Sequence, residues 1–394
     1  MRASYGFNGN IDKTASPYIT GTPWIDPILG IPYAAVQQAP NPGLTWEKTS
    51  TYNIGLDYSL FASKIYGTVE VYSKNASDVL AQIAVNGTYG YQNNRATLNT
   101  GNISNKGLEF NVTANVMDKG MFRWQTRFNY GTNRNRATNI TQVNKGTIAY
   151  TTLSFFYHLP NQPVDFVAAA TWMGYDSLGY DKFEYQKKVL SVRDVTNFAA
   201  MNQADIFKVV GQRSPKHYGQ WANTFSYKGF DLNVSLLYKF GHVFIKDYPA
   251  TGMSNTYFTP TRLFTFLPEL MVDRWKSPAD GDNASMYSLN SKLTNTQHVQ
   301  ALDAIARYNT RNVLDAGSVR LQSISLAYLI PGKISGPFKN ARIQLEARNL
   351  GPLFVMNKEG IDPDFPPYSS SVYGALQYVI RNRAQYSASL RFGL

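Results

Sequence analysis

Between Trp221 and Phe240 the chain reads WANTFSYKGFDLNVSLLYKF, with apolar and polar residues in alternation. The first arm sets Trp221, Phe225 and Tyr227 on one side and Ala222, Thr224, Ser226 and Lys228 on the other, with Asn223 breaking the apolar row. Beyond Lys228-Gly229 the second arm sets Phe230, Leu232, Val234, Leu236, Tyr238 and Phe240 against Asp231, Asn233, Ser235, Leu237 and Lys239. Side chains of a strand point alternately to its two faces, so this period of two predicts a hairpin with one greasy and one wet face. Arms of about ten residues exceed the usual strand of about 5 to 6 and match the roughly 9 to 11 residues of a tilted bilayer-spanning strand. Such hairpins are the repeat unit of transmembrane barrels.

The same pattern recurs along the chain. TYNIGLDYSL sets Tyr52, Ile54, Leu56, Tyr58 and Leu60 against Asn53, Gly55, Asp57 and Ser59; a turn near Ala62-Ser63 leads into KIYGTVEVYSK, with Ile65, Val69 and Val71 on its apolar side. GLEFNVTANVM alternates without error, Asp118-Lys119-Gly120 turns the chain, and FRWQTRFNY returns. Glu109, Arg123 and Arg127 all fall on the polar face of this pair. Three charges are costly in a packed sandwich core and natural in a water-filled lumen. Three strands close the sequence, SVRLQSISLAYLI, ARIQLEARNL and YSASLRFGL, the first changing phase at a bulge near Gln322-Ser323. The expected fold is all-β, an antiparallel transmembrane β-barrel wall with long extracellular loops.

Elsewhere the pattern fades. Residues 1 to 10 read as the end of a strand. Ile11 to Gly43 carries Pro17, Pro23, Pro27, Pro32, Pro40 and Pro42 and reads as irregular loop. In 141 to 212, LSFFYHL and DKFEYQKKVL read as strands and SVRDVTNFAAMNQADIF includes a helical turn; in 244 to 316 the helical candidate is Leu263 to Trp275.

Composition narrows the class. Among 394 residues, 27 Tyr, 22 Phe and 6 Trp make 14% aromatic, suited to the girdles at membrane interfaces but also found in soluble β proteins. The mean hydropathy of -0.30 decides nothing, because alternating strands average out near zero or below. No window holds the ~18 apolar residues of a spanning helix. The chain opens MRASYGFNGN, without the charged and then apolar run of a signal peptide, so either Met1 is internal to a longer chain or the protein stays in the cytosol. With 0 cysteines, disulfides, thiolate nucleophiles and Cys-ligated metals are all excluded. The net charge of +12 is scattered, and basic pieces such as Arg134-Asn135-Arg136 are too short for a nucleic-acid surface.

Chemistry-bearing motifs are sparse. His158, His217, His242 and His298 lie far apart, without the spacing of a metal site. Asp280-Gly281-Asp282-Asn283 lacks the remaining ligands of a calcium loop and reads as a turn. No Walker loop, dinucleotide fingerprint or nucleophile elbow is present, so no catalytic residue, cofactor or metal is assigned.

Several pieces carry a family resemblance: RASYGFNGN, PGLTWEKTSTYNIGLDYSLF, NKGLEF, FRWQTRFNYGTNRNR, YKGFDLNVSLLYKFG, DRWKSPADGDNAS, GSVRLQSISLAYLIP, ARIQLEARNL and GIDPDFPPYSSS. Together, in this order, they resemble the C-terminal part of a SusC/RagA-type TonB-dependent outer-membrane transporter of Bacteroidetes. The resemblance implies a barrel of about 22 strands closed by an N-terminal plug, of which residues 1–394 supply about the C-terminal half, with signal, plug and first strands absent. It also implies uptake of an oligosaccharide or peptide, a SusD-like surface lipoprotein as lid, energy from TonB-ExbB-ExbD reached through the N-terminal part, contact with outer-membrane lipid, and dimers of transporter–lipoprotein pairs. This chain alone is not expected to transport. The long loops 11 to 43, 141 to 212, 244 to 316 and 351 to 383 are the expected contact regions, with Trp24, Tyr33, Trp172, Tyr175 and Tyr180 as candidate ring platforms for sugars or a partner's pockets. For each of these rings, packing within the loops is the competing role. Two other readings stand beside this one: a β-rich cell-surface adhesin, and a barrel enzyme, which requires a Ser/His pair converging on one wall.

Overall fold

The computed structural model describes residues 1–13, 15–86, 88, 95–140, 159–246, 272–288, 296–331, 339–365, 369–370, 376–377 and 383–393. In chain order, β1 (Arg2–Asn10) is followed by the small hairpin β2 (Thr20–Ile25) and β3 (Pro32–Gln38), and then by β4 (Glu47–Leu60), β5 (Ile65–Ala84), β6 (Arg95–Lys119) and β7 (Phe122–Ile140). Short strands come next: β8 (Phe166–Ala170), β9 (Trp172–Tyr175), β10 (Asp181–Tyr185), β11 (Lys188–Ser191) and β12 (Phe207–Gln212). The hairpin β13 (His217–Tyr227) and β14 (Phe230–Phe240) leads to β15 (Val243–Ile245), the helix Thr296–Arg307 and β16 (Val313–Asp315). The last strands are β17 (Ser318–Leu329), β18 (Lys339–Arg348), β19 (Pro352–Val355), β20 (Ser369–Ser370), β21 (Leu376–Gln377) and β22 (Gln385–Gly393).

One open antiparallel wall runs β1-β4-β5-β6-β7-β13-β14-β17-β18-β22, with β19 added on β17. At one rim the hairpins are tight: Leu60 pairs with Ile65, Lys119 with Phe122 and Tyr227 with Phe230. Lys228 and Gly229 both have positive φ (46° and 88°), the mirror-image turn that matches strand twist. The connections from β1 to β4, β7 to β13 and β14 to β17 all leave the opposite rim. The expected bulge is present, since the pairing of β14 with β17 slips between Ser235 and Leu236 and leaves Gln322 unmatched.

Large side chains on the apolar faces remain uncovered: Ile54 is 55% exposed, Leu345 55% and Leu390 59%. Asn223, the break in the apolar row of β13, accepts the Trp124 indole N–H at 3.1 Å and is thereby masked. Glycines let tyrosines clip strands together. Tyr58 lies over Gly67 and donates to the Asn111 carbonyl at 3.1 Å; Tyr238 lies over Gly219 and donates to that of Asn129 at 2.7 Å. A Cβ at Gly219 would sit 2.0 Å from the Asn129 carbonyl oxygen, so the position admits only glycine.

Three expectations change. β6 and β7 run to 25 and 19 residues, because their upper ends, such as Asn105, Lys106 and Asn133, carry no apolar row for a period of two to reveal. Ile11 to Gly43 is not wholly irregular: β2 and β3 form a two-stranded ribbon whose strands are both edges, where Pro23 and Pro32 leave no ladder bond unmade that a neighbour needs. The described helix of the later long segment is Thr296–Arg307, its C-terminal carbonyls taken by the side-chain amides of Asn309 and Asn312. Residues 263–271 of the expected helix and 153–158 of LSFFYHL lie outside the described residues.

The two long segments fold together. A core of Phe166, Phe183, Val192, Ile206, Phe207, Met286, Leu302 and Ile305, each almost fully buried, draws on both 159–212 and 272–312. Around it stand the sheets β11-β10-β9 and β12-β8 and the helix Thr296–Arg307. DKFEYQKKVL, expected as a strand, is the tight hairpin of β10 and β11 turning at Gln186-Lys187, both at positive φ; as expected, SVRDVTNFAAMNQADIF holds helical turns, at Val192–Asp194, Phe198–Ala200 and Gln203–Ile206.

Candidate functional site

On the polar face of the wall the register places Glu70 opposite Glu109, Asn111 opposite Asn129, and Tyr218 opposite Gly131. Glu70, Glu109, Asn111, Asn129, Gln220 and Lys239 line a recess of about 560 Å³. Asn111 donates its amide to Asn129 at 2.7 Å, and Gln220 donates to the Ser235 hydroxyl at 2.6 Å, so the floor is a fixed hydrogen-bonding surface. Two carboxylates in direct cross-strand opposition repel. Arg2 offsets part of this by donating to Glu70 and, at 2.9 and 3.0 Å, to Asp57. Among the described residues no ion pair reaches Glu109, whose carboxylate is open to the recess. Arg127 and Arg123 continue the same polar row, Arg127 donating to the Thr113 hydroxyl at 3.4 Å. The expectation of a wet, charged inner face is met.

Beside the recess, Arg320 is clamped between Asp362 and Asp364, the second at 3.2 Å, and Lys239 reaches Asp364 at 2.8 Å. Phe365 lies under the guanidinium at 5.7 Å. The GIDPDF segment is thus riveted to β14 and β17, with Asn357 closing its turn by exchanging bonds with Ile361. Sequence reasoning missed this cluster. Its partners are 42 and 125 residues apart, and lone carboxylates in a loop give no sign of which arginine they meet.

The five candidate aromatics fall into two groups. Trp24 and Tyr33 face each other across β2 and β3, 58% and 48% exposed. Tyr175 and Tyr180 are buried in the folded loop unit, and Trp172 is half-buried beside them. Arg311 stacks on Trp172 at 4.9 Å and donates to the Tyr175 hydroxyl at 2.8 Å. The Trp172 indole donates to Asp181 at 2.8 Å. These three rings bind the unit together instead of presenting their faces to a ligand.

Asp181 is the unusual group here. It is 2% exposed, and burial pushes its carboxyl up to about 7, with Trp172 and Arg311 pulling the other way and Asp176 adding to the rise. Burial, with Asp181 second, also raises the Tyr175 hydroxyl. Asp280–Asn283 is the turn expected: Asp280 accepts the Lys276 and Ser277 N–H groups at 2.8 and 2.7 Å, which hold its carboxyl below the ordinary value. Asp282 accepts the Tyr175 N–H at 2.8 Å. His217 bonds the Tyr130 hydroxyl at 2.7 Å and His242 is buried, while His158 and the side chain of His298 lie outside the described residues. Among the described residues no group of His, Asp or Glu is arranged to hold a metal ion, and no helix is long and apolar enough to cross a membrane.

A family model described as "TonB dependent receptor-like, beta-barrel" matches residues 1–248, more than half of the chain. A TonB-dependent receptor of Formosa agariphila is 24% identical over 409 residues, covering 92% of this chain and 37% of that protein. The TonB-dependent receptor SusC of Bacteroides thetaiotaomicron is 32% identical over 101 residues, covering 26% of this chain and 10% of that protein. The chain thus spans little more than a third of the first of these relatives. In fold it is similar to the RagAB peptide importer in its "closed-closed" state, at TM-score 0.70 and 18% identity over 99% of this chain and 40% of that one. The "open-open" state gives 0.68 and 19% over 100% and 40%. With its greasy outer face, wet inner face and a family match that begins at the first wall strand, the chain belongs to the TonB-dependent receptors and forms part of their outer-membrane β-barrel.

Proposed function

We propose that the chain is the C-terminal wall of an outer-membrane nutrient importer that takes up an oligosaccharide or peptide, is energised through TonB-ExbB-ExbD, and is covered by a SusD-like surface lipoprotein. The observation that carries this reading is the wall itself: ten antiparallel strands in sequence, apolar side chains uncovered on one face and a charged recess on the other. Among the described residues β1 and β22 each pair on one side only, and an open edge in lipid leaves backbone groups without partners, so in the membrane both edges need a partner strand. The recess at Glu70, Glu109 and Gln220 then faces the transport path. In a soluble adhesin the same apolar faces need a second layer, and their exposure argues against that reading.

The test is uptake. Cells lacking the gene should lose accumulation of a labelled peptide or oligosaccharide mixture, as should cells lacking TonB. Recovery of the protein in the soluble fraction without detergent, or unchanged uptake of both mixtures, would overturn the proposal.

A further inference from the structure

On the inner face Arg2, Lys239 and Arg320 each meet a carboxylate of this chain. The outer face holds a basic cluster that does not. Lys106 of β6 stands directly opposite Arg134 of β7, and Arg136 follows two residues further along the same face of β7. Lys106 and Arg134 are exposed and Arg136 is half-buried. Among the described residues no carboxylate pairs with any of the three, and the acid in the upper part of β5, Asp78, is taken by Lys48 at 3.6 Å. Like charges in direct cross-strand opposition are destabilising. An anion held between them turns that repulsion into attraction.

Alternation fixes the direction in which the cluster points. Glu109 and Gly131 line the inner recess, and the Asn135 side chain accepts the Val164 N–H of the folded loop unit at 2.9 Å. Lys106, Arg134 and Arg136 alternate with these positions and therefore share the outer face with Leu108, Phe110 and Tyr130. Leu108, opposite Val71, which is 52% exposed, is the last apolar residue of its row, and Lys106 is the next outward position. The tight turn that pairs Lys119 with Phe122 lies at the far end of the two strands. Barrels keep short turns on the periplasmic side and longer connections outside, so the cluster lies where the apolar belt meets the outer headgroup layer. β6 and β7 stand within the wall, flanked by β5 and β13, and strands joined at β1 or β22 do not reach them.

The dimensions suit one phosphate group. Facing positions on paired strands lie about 5 Å apart, and positions two residues apart on one strand roughly 7 Å. Two guanidinium forks and an ammonium within that span match a tetrahedral oxyanion, which Arg holds through paired N–H donors. Basic groups bordering an apolar surface are also the arrangement that anionic lipid selects. We infer that Lys106, Arg134 and Arg136 bind a phosphate of the outer-leaflet glycolipid, whose acyl chains lie along Leu108 and Val71. The site depends on the outer-membrane wall alone and not on what the wall transports.

The experiment uses the protein extracted from its native outer membrane in mild detergent and stripped of lipid, with purified lipid A and enzymatically dephosphorylated lipid A as the probes. The wild-type protein should prefer the phosphorylated probe by on the order of a hundredfold, roughly fivefold for each basic residue. The triple variant Lys106→Gln, Arg134→Gln, Arg136→Gln should bind both probes alike while keeping its heat-modifiability. Arg134→Gln alone should lose roughly fivefold, a readout that stands even where the triple variant fails to fold. Lys228→Gln, at the opposite rim, should leave the preference intact. Inorganic phosphate should not displace the lipid, and a photo-crosslinking residue at Thr132 should attach to the glycolipid in cells. A preference that survives the triple variant, a wild-type protein that shows none, displacement by inorganic phosphate, or a crosslink to another protein overturns the assignment and leaves the importer reading standing.

Discussion

The wall and the folded loop unit place their large apolar side chains in opposite senses. On the wall, Leu56, Leu345 and Leu390 are each more than half exposed, and charge gathers on the inner face around Arg2, Glu70 and Arg320. In the loop unit, Phe166, Phe183 and Leu302 are almost wholly buried, as is Asp181, while charged groups such as Lys187, Lys188, Arg193 and Asp194 are exposed. One chain is therefore folded for two solvents. The wall owes its order to cross-strand hydrogen bonds and to lipid around it, the loop unit to a packed core in water.

This contrast can be broken at either side. Phe183→Ala empties a fully buried site and should destabilise the loop unit by about 3 to 5 kcal/mol, read as rapid proteolysis between 159 and 213 while heat-modifiability of the wall stays intact. Loss of the wall as well would show that the two regions fold as one. Arg320→Ala leaves Asp362 buried without its partner and should cost about 3 kcal/mol. That loss belongs to the wall, so the urea midpoint of the detergent-solubilised barrel should drop and the loop unit should keep its protease resistance.

The wall was legible in the sequence because its two faces meet different solvents and every second residue records which. The phase change at Gln322 and the turn at Lys228-Gly229 could be read for the same reason. β6 and β7 were legible only in their apolar halves. The loop unit was legible only in the extended stretch at Asp181–Leu190 and the helical turns after it: FVAAA of β8 is buried throughout and shows no alternation, the strands are four to six residues long, and the core joins segments about a hundred residues apart. TQHVQALDAIAR did carry a helical spacing at Val299, Leu302 and Ile305, which its polar neighbours obscured. Of the candidate aromatics, nothing local separates Tyr175, bonded by Arg311 from 136 residues away, from Tyr33 on an open ribbon.

A milder perturbation compares the two faces of one strand. Leu345→Arg puts a charge on the outward face of β18 and should cost about 2 to 4 kcal/mol near the bilayer midplane. Gln344→Arg, one residue away on the inward face, should be nearly neutral. Equal losses in the urea midpoint of the folded barrel in lipid would remove the assignment of lipid to one side and water to the other.

The smallest effect expected is a dependence on pH in the loop unit. Asp181 carries its proton up to about pH 7 in the folded unit, against an ordinary carboxylate value of 3.8 in the unfolded chain. The folded state therefore binds the proton more tightly, and stability must fall as pH rises between those two values and level off above the upper one. Between pH 6 and pH 8 the loss should be about 1 kcal/mol. The cause is the desolvated carboxylate, which has the Trp172 indole as a donor on one oxygen and no hydrogen-bond partner among the described residues on the other. Asp181→Asn keeps the acceptor for Trp172 and removes the charge, so protease resistance of the loop unit should become level across that window and match wild type at its acid end. If the variant keeps the wild-type slope, the titrating group is elsewhere, and the buried proton of Asp181 does not set the stability of the loop unit in that window.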